Sequence, residues 1–227
     1  MECAIVELRQ YTLHPGRRDE LIDLFEREFL EPQEAAGMTL IGQFRMLGND
    51  DRFVWLRGFA DMESRPAALA AFYDGSVWAA HRDAANATMV DSDNVLLLQR
   101  ARTDSGFAVS QGQPFPSDAE EPSGRVYVAG VSHFGEPAND EEIARLEAAV
   151  ARMVADCGGR VLSWHVTVQS ANNYPRLPVR EDVNAVVWVA VFPDVTRAEE
   201  CRTSPALRIL DRLETLTLVP TSRSRLR

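Results

Sequence analysis

The chain has 227 residues with 34 acidic and 24 basic side chains, a net charge of −10, and every basic residue is an arginine. Without lysine there can be no phosphate-binding loop with its obligatory ammonium, no Schiff-base pyridoxal phosphate and no lysine-based aldolase or kinase mechanism. The acidic balance, with no long basic stripe, argues against nucleic acid or an anionic membrane as a partner.

In chain order, residues 3–13 (CAIVELRQYTL) alternate and are rich in β-formers, which predicts a strand stopped by Pro15-Gly16. From Arg17 to Leu30 the apolar residues Leu21, Leu24, Phe25 and Phe29 recur at three and four, the pattern of an amphipathic helix, and Gly37 ends the connection that follows. Thr39–Leu47 and Arg52–Ala60 read as strands joined at Gly48-Asn49-Asp50-Asp51. Helices over 62–73 and 76–89 and a strand over 94–100 complete a β-α-β-β-α-β unit.

Residues 102–124 are rich in Ser, Gly, Gln, Pro and acids and read as an exposed linker. The pattern then restarts with a strand over 125–134, a helix over 140–157 stopped by Gly158-Gly159, strands over 160–169 and 183–192, a helix started by Ser204-Pro205, and a strand over 213–219. FVWLRGFADM (53–62) echoes VVWVAVFPDV (186–195) at Trp55/Trp188, Phe59/Phe192 and Asp61/Asp194, which suggests duplication. The domain reading is therefore 1–101, a linker at 102–124, a diverged second unit at 125–220 and a flexible basic tail at 221–227.

One such unit makes a four-stranded antiparallel sheet with both helices on one face and the other face bare. The expected fold is α+β: tandem ferredoxin-like units whose antiparallel sheets pack as an α+β barrel, within the chain or through a second copy, with a homodimer as the expected assembly. Cys3, Cys157 and Cys201 form no CxxC pair and suit structural thiols in a reducing compartment. No apolar run approaches the ~20 residues of a membrane helix and no signal peptide is evident, so a cytoplasmic protein is expected.

Three separated segments, Glu7-Leu8-Arg9-Gln10-Tyr11-Thr12-Leu13 with Pro15-Gly16, Trp55-Leu56-Arg57-Gly58-Phe59, and Trp78 to Asn86 (WAAHRDAAN), together resemble the NIPSNAP family. The resemblance spans about residues 3–100; residues 125–220 lack both the Arg-x-Tyr pair and the His-Arg segment. It implies the dimeric α+β barrel superfamily, whose members include cofactor-free monooxygenases, polyketide cyclases and haem-degrading enzymes. Fold follows from this more directly than function.

Strand alternation groups the candidate residues, since residues two apart share a face. If Val6, Leu8, Val54 and Leu56 face the helices, then Glu7, Arg9, Tyr11, Gln43, Arg45, Trp55, Arg57 and Phe59 line the barrel. Such a wall has two readings: a paired network that fixes sheet packing, or a pocket where the arginines hold a carboxylate or enolate, Trp55 and Phe59 stack on a planar body, and Tyr11 or Glu7 moves a proton. Trp78, His81 and Arg82 share one helix face and either seal a seam or reach the pocket. His133 and His165 sit on second-unit strands expected to be adjacent, as a proton-transfer pair or as ordinary sheet residues; no third ligand suggests a metal. His14, in its Pro-Gly turn, reads as solvent exposed.

The expected function is a small-molecule-binding barrel acting on a small acidic or planar substrate without an organic cofactor, by proton transfer, cyclisation or oxygenation. The catalytic candidates are Glu7, Tyr11, His81, His133 and His165; the binding candidates are Arg9, Arg45, Trp55, Arg57, Phe59, Trp78 and Arg82. A non-enzymatic scaffold and a haem protein are the competing readings, the latter because haem-degrading relatives hold iron on a helix-borne histidine.

Overall fold

The computed structural model describes residues 3–109, 111–113, 115–116, 123–205 and 212–227. In the first unit the elements are β1 (Ile5–Leu13), α1 (Arg18–Glu28), α2 (Leu30–Ala35), β2 (Thr39–Met46), β3 (Arg52–Phe59), α3 (Arg65–Tyr73), α4 (Ser76–Asn86), β4 (Met89–Asp91) and β5 (Val95–Arg100). The second unit has β6 (Val126–Phe134), α5 (Asp140–Asp156), β7 (Arg160–Thr167), β8 (Asn184–Phe192), α6 (Val195–Arg202) and β9 (Leu213–Pro220). Three short elements had no counterpart in the periodicity: α2, β4 and α6, the last opened by Asp194, whose side chain accepts from the Arg197 amide. The helix expected from Ser204-Pro205 lies mostly outside the described residues.

The strand order is β3-β2-β9-β6-β8-β7-β5-β1, and β1 also pairs with β3, closing an eight-stranded barrel in which every pairing is antiparallel. The two four-stranded sheets meet edge to edge, β2 on β9 and β5 on β7. One chain supplies both sheets, so barrel closure needs no second copy.

The barrel interior is one apolar core built from both units: Val6, Leu8, Val54, Leu56 and Leu98 meet Ala129, Val131, Val187, Val189 and Leu218. The helices lie outside, where α1 to α4 cover Tyr11, Trp55 and Phe59 while α5 and α6 cover Val128, Trp188 and Phe192. This inverts the expected facing. The residues expected to line the barrel point toward the helices, and the valines and leucines assigned to the helices fill the interior. Two sheets facing each other across a closed space leave no water to solvate a charge, so the purely apolar set goes inside.

Two segments expected to be solvated are packed. Phe107 and Val109, within the expected linker, are buried in the barrel core. The basic residues 221–227 dock on the first unit: Ser222 Oγ and the Arg223 amide donate to Glu26, and Arg225 donates to Glu34 and to the Leu40 carbonyl while lying 4.0 Å from the Phe115 ring centroid. Arg223 and Arg225 each find a carboxylate and an aromatic face, which outweighs the freedom of a loose tail. Among the described residues no helix is long and apolar enough to cross a membrane.

Candidate functional site

Between the first sheet and its helices lies a charged cluster from which water is excluded. Glu7 on β1 is fully buried, and the β1–β3 register sets it opposite Arg57, with Arg9 opposite Trp55. Arg65 enters from the first turn of α3. Glu7 Oε2 accepts from Arg9 Nη1 at 2.7 Å and from Arg57 Nε at 2.8 Å; Oε1 accepts from Arg65 Nη2 at 2.7 Å and Nε at 2.9 Å. Burial pushes the Glu7 carboxyl pKa up, but the opposing fields of Arg57, Arg9 and Arg65 hold it well below the ordinary carboxylate range. Glu7 is thus a fixed anion and a poor proton acceptor.

Other guanidinium donors of the cluster reach neutral oxygens. Arg9 Nε donates to Tyr11 Oη at 3.0 Å, and Arg57 Nη1 donates to Gln33 Oε1 at 3.1 Å and Tyr73 Oη at 3.3 Å. Arg65 Nη1 donates to Asn172 Oδ1 at 3.0 Å and Asn173 Oδ1 at 2.8 Å. Those two asparagines belong to the second unit, on the loop between β7 and β8, which straps across the first: Asn173 Nδ2 donates to the Met62 carbonyl, and Tyr174 is buried in the first unit's core. The Tyr174 hydroxyl is buried without a hydrogen-bond partner.

Aromatic rings fill the spaces between the charges. The Arg9 and Arg57 guanidinium carbons lie 5.5 and 5.1 Å from the Trp55 ring centroid, and Arg57 and Arg65 lie 5.6 and 5.7 Å from that of Phe59. Burial raises the Tyr11 phenol above its ordinary value, against the pull of Arg9. Tyr11 is therefore a neutral hydroxyl that accepts from Arg9 and keeps its own proton to donate. Three permanent cations surround one carboxylate, a formal surplus of two positive charges in a water-excluded seam.

The NIPSNAP family model matches residues 6–101, the segment that carries Glu7, Arg9, Arg57 and Arg65. Residues 6–101 are a NIPSNAP domain. Solved structures with the same architecture along their length include a candidate monooxygenase of Lactobacillus acidophilus, 14% identical with a TM-score of 0.55 and 98% of each chain covered. A candidate monooxygenase of Fusobacterium nucleatum is 10% identical with a TM-score of 0.59, covering 96% of this chain and 93% of its own. An anthrone oxidase-like protein is 12% identical with a TM-score of 0.55, covering 96% and 91%. Likeness at these identities speaks to fold alone. No curated protein sequence matches the chain.

Within the NIPSNAP domain the structure gathers Glu7, Arg9, Tyr11, Trp55, Arg57 and Phe59, and it adds Gln33, Arg65 and Tyr73. Trp78 packs on Tyr73 and Phe72 at the margin, with ring centroids 5.0 and 5.9 Å apart. The other expected residues lie elsewhere. Arg45 pairs with Asp19 at 2.9 Å, Arg82 is exposed beside Asp83, and His81 Nε2 lies 3.4 Å from Glu28 on the outer helix layer. His133 and His165 are not neighbours, because β8 runs between β6 and β7. His133 stands at the barrel rim 3.9 Å from Glu214, whereas His165 is buried inside and stacks on Phe107 at 5.3 Å. Among the described residues no group of three or more His, Cys, Asp and Glu could hold a metal.

Sequence reasoning missed Gln33, Arg65, Tyr73, Asn172 and Asn173. Arg65 did leave a signal: with Ala68, Leu69 and Phe72 it occupies the i, i+3, i+4, i+7 positions of the buried helix stripe, where a charge needs a partner. The asparagines left none, since they come from a loop more than a hundred residues away.

Proposed function

We propose that the NIPSNAP domain binds a small organic acid, planar or short-chain, in the seam between its sheet and helices, and that the strap carrying Asn172 and Asn173 opens to admit it. The observation that carries this reading is the pair of amide oxygens on Arg65 Nη1, at 3.0 and 2.8 Å. They are neutral acceptors on a cation whose carboxylate partner among the described residues, Glu7, is shared with two other arginines. A ligand carboxylate is the stronger acceptor for such a group and offsets the surplus charge. In this reading Arg65 and Arg57 hold the anion, while Trp55 and Phe59 provide flat surfaces.

The chemistry this arrangement favours is proton transfer on a keto acid without an organic cofactor. Guanidinium groups lower the energy of an enolate, and in ketonisation of an enol acid the Tyr11 hydroxyl gives its proton to the enol carbon while its phenolate oxygen, held by Arg9, takes up the enol hydroxyl proton. Cyclisation and cofactor-free oxygenation start from the same enolate.

Thermal-shift and calorimetric titration with benzoate and acetoacetate tests the proposal on three proteins: wild type, Arg65→Gln, and Asn172→Ala/Asn173→Ala. Acids should stabilise the wild type, bind several-fold more tightly when the asparagines no longer compete, and bind at least about tenfold more weakly without Arg65. The double asparagine variant leaves the charged cluster whole, so absence of binding there as well as in the wild type would sink the reading. A seam that binds no acid while Arg57→Met or Tyr11→Phe changes only assembly would favour the non-enzymatic scaffold.

A further inference from the structure

We propose a second anion site, independent of the seam, at the end of the barrel where β6 and β7 begin and β8 ends. A cavity of about 380 Å³ opens there, with Arg125, Arg160 and Arg227 on its rim and Tyr127, Leu162 and Val191 as its floor. Register explains the convergence. Tyr127 and Arg160 are both cross-strand partners of Val191, so the three stand in one row across β6, β8 and β7. The two outer strands are about 10 Å apart, a gap that two arginine side chains can close from opposite sides over the tyrosine. Burial raises the Tyr127 phenol above its ordinary value, and the fields of Arg125 and Arg160 both oppose that rise.

The site is unusual for its charge. On a chain of net charge −10, no acidic side chain among the described residues lines this cavity. Elsewhere exposed arginines sit beside carboxylates one helical turn away, as Arg145 does with Glu141, Arg197 with Glu200 and Arg202 with Glu199. Among the described residues Arg125 and Arg160 have no such carboxylate, and Arg125 Nη1 instead donates to the main-chain oxygen of Arg227 at 3.1 Å. Arg225 also borders the cavity but is engaged by Glu34. The Arg227 main-chain oxygen, which already accepts from Arg125, shows the geometry an oxyanion would use. The ligand class is a small multivalent anion, with carboxylate or phosphate groups meeting the guanidinium forks and a short apolar part on Leu162 and Val191.

Calorimetric titration with citrate and with inorganic phosphate, at ionic strength held constant with sodium chloride, tests this on wild type, on Arg125→Gln/Arg160→Gln and on Arg65→Gln. Both replaced arginines are on the surface, so the double variant should keep the wild-type circular dichroism and melting behaviour. Binding of one or both anions should fall at least about tenfold in the double variant and persist in Arg65→Gln. Citrate alone would assign the site to carboxylates, and phosphate alone to phosphate groups. No binding by either anion, or binding unchanged in the double variant, would overturn the proposal. Binding lost only in Arg65→Gln would place the anion at the seam and also overturn it, whereas failure here with acid binding at the seam leaves the seam reading intact.

Discussion

Where the first unit pairs Glu7 with Arg57 across β1 and β3, the second pairs Val128 with Ala190 across β6 and β8; where the first sets Arg9 opposite Trp55, the second sets Gly130 opposite Trp188. Aligning Asp61 with Asp194 sets Arg65 against Ala198, which is fully buried. Four charged residues thus correspond to two alanines, a valine and a glycine in the same architecture. In the second unit Trp188 lies flat on Gly130: a Cβ there would stand 2.1 Å from the indole Cε2. In the first, Trp55 stands between two guanidiniums. The seam can therefore be closed with apolar packing alone, so the fold does not require the charges. Burying them carries a desolvation cost that a hydrophobic filling avoids, which makes them the feature that calls for a function.

The largest expected effect comes from breaking the charged side of the comparison. Glu7→Gln leaves three buried guanidiniums without their shared anion and should lose about 3–5 kcal/mol in urea unfolding; a loss below about 1 kcal/mol would mean that water or another anion already serves the cluster. On the apolar side, Gly130→Ala forces Trp188 off its seat and should cost about 1–3 kcal/mol, with a change in tryptophan fluorescence.

Acid should act on both units, in separable pH ranges. Glu7 has a depressed folded pKa, so its contribution is present above the ordinary carboxylate range and is lost as the pH falls below it. Burial, with Arg100 adding, lowers His165 from 6.5 to about 4. The unfolded chain therefore binds more protons between those values, and stability should fall by about 3 kcal/mol as the pH drops from 6.5 to 4. His165→Gln should flatten that interval and leave the steeper loss at lower pH, as followed by melting temperature against pH. The smallest effect is expected at Arg45→Ala: its half-exposed pair with Asp19 should be worth within about 0.5 kcal/mol, and acid binding should not change.

Much of the fold was legible because periodicity survives any tertiary arrangement. The first strand, the helix from Arg17, the hairpin at Gly48-Asn49-Asp50-Asp51 and the restart near residue 125 each follow from local pattern and turn chemistry. For the site, alternation grouped Glu7, Arg9 and Tyr11 on one face and Trp55, Arg57 and Phe59 on its neighbour, and the structure joins them. What alternation could not supply was which face looks inward. Both faces of β1 are buried, one by the opposite sheet and one by helices, so the usual contrast of a wet and a dry side is missing.

The sequence by itself determined the two-unit α+β pattern, the absence of lysine chemistry and the grouping of Glu7, Arg9, Tyr11, Trp55, Arg57 and Phe59, because each depends on residue type and short-range spacing. Only the tertiary structure decided that this group lies under the helices, that Arg65 completes it and that Asn172 and Asn173 of the second unit cover it. It also decided that the histidines His133 and His165 stand on either side of β8. These follow from strand order, barrel closure and one loop crossing between units, which bring together residues far apart in the chain and leave no local pattern behind. Of the arginines expected to clamp a ligand inside the barrel, Arg9 and Arg57 lie instead in the seam, where one glutamate serves them together with Arg65, and none of the three readily releases a proton.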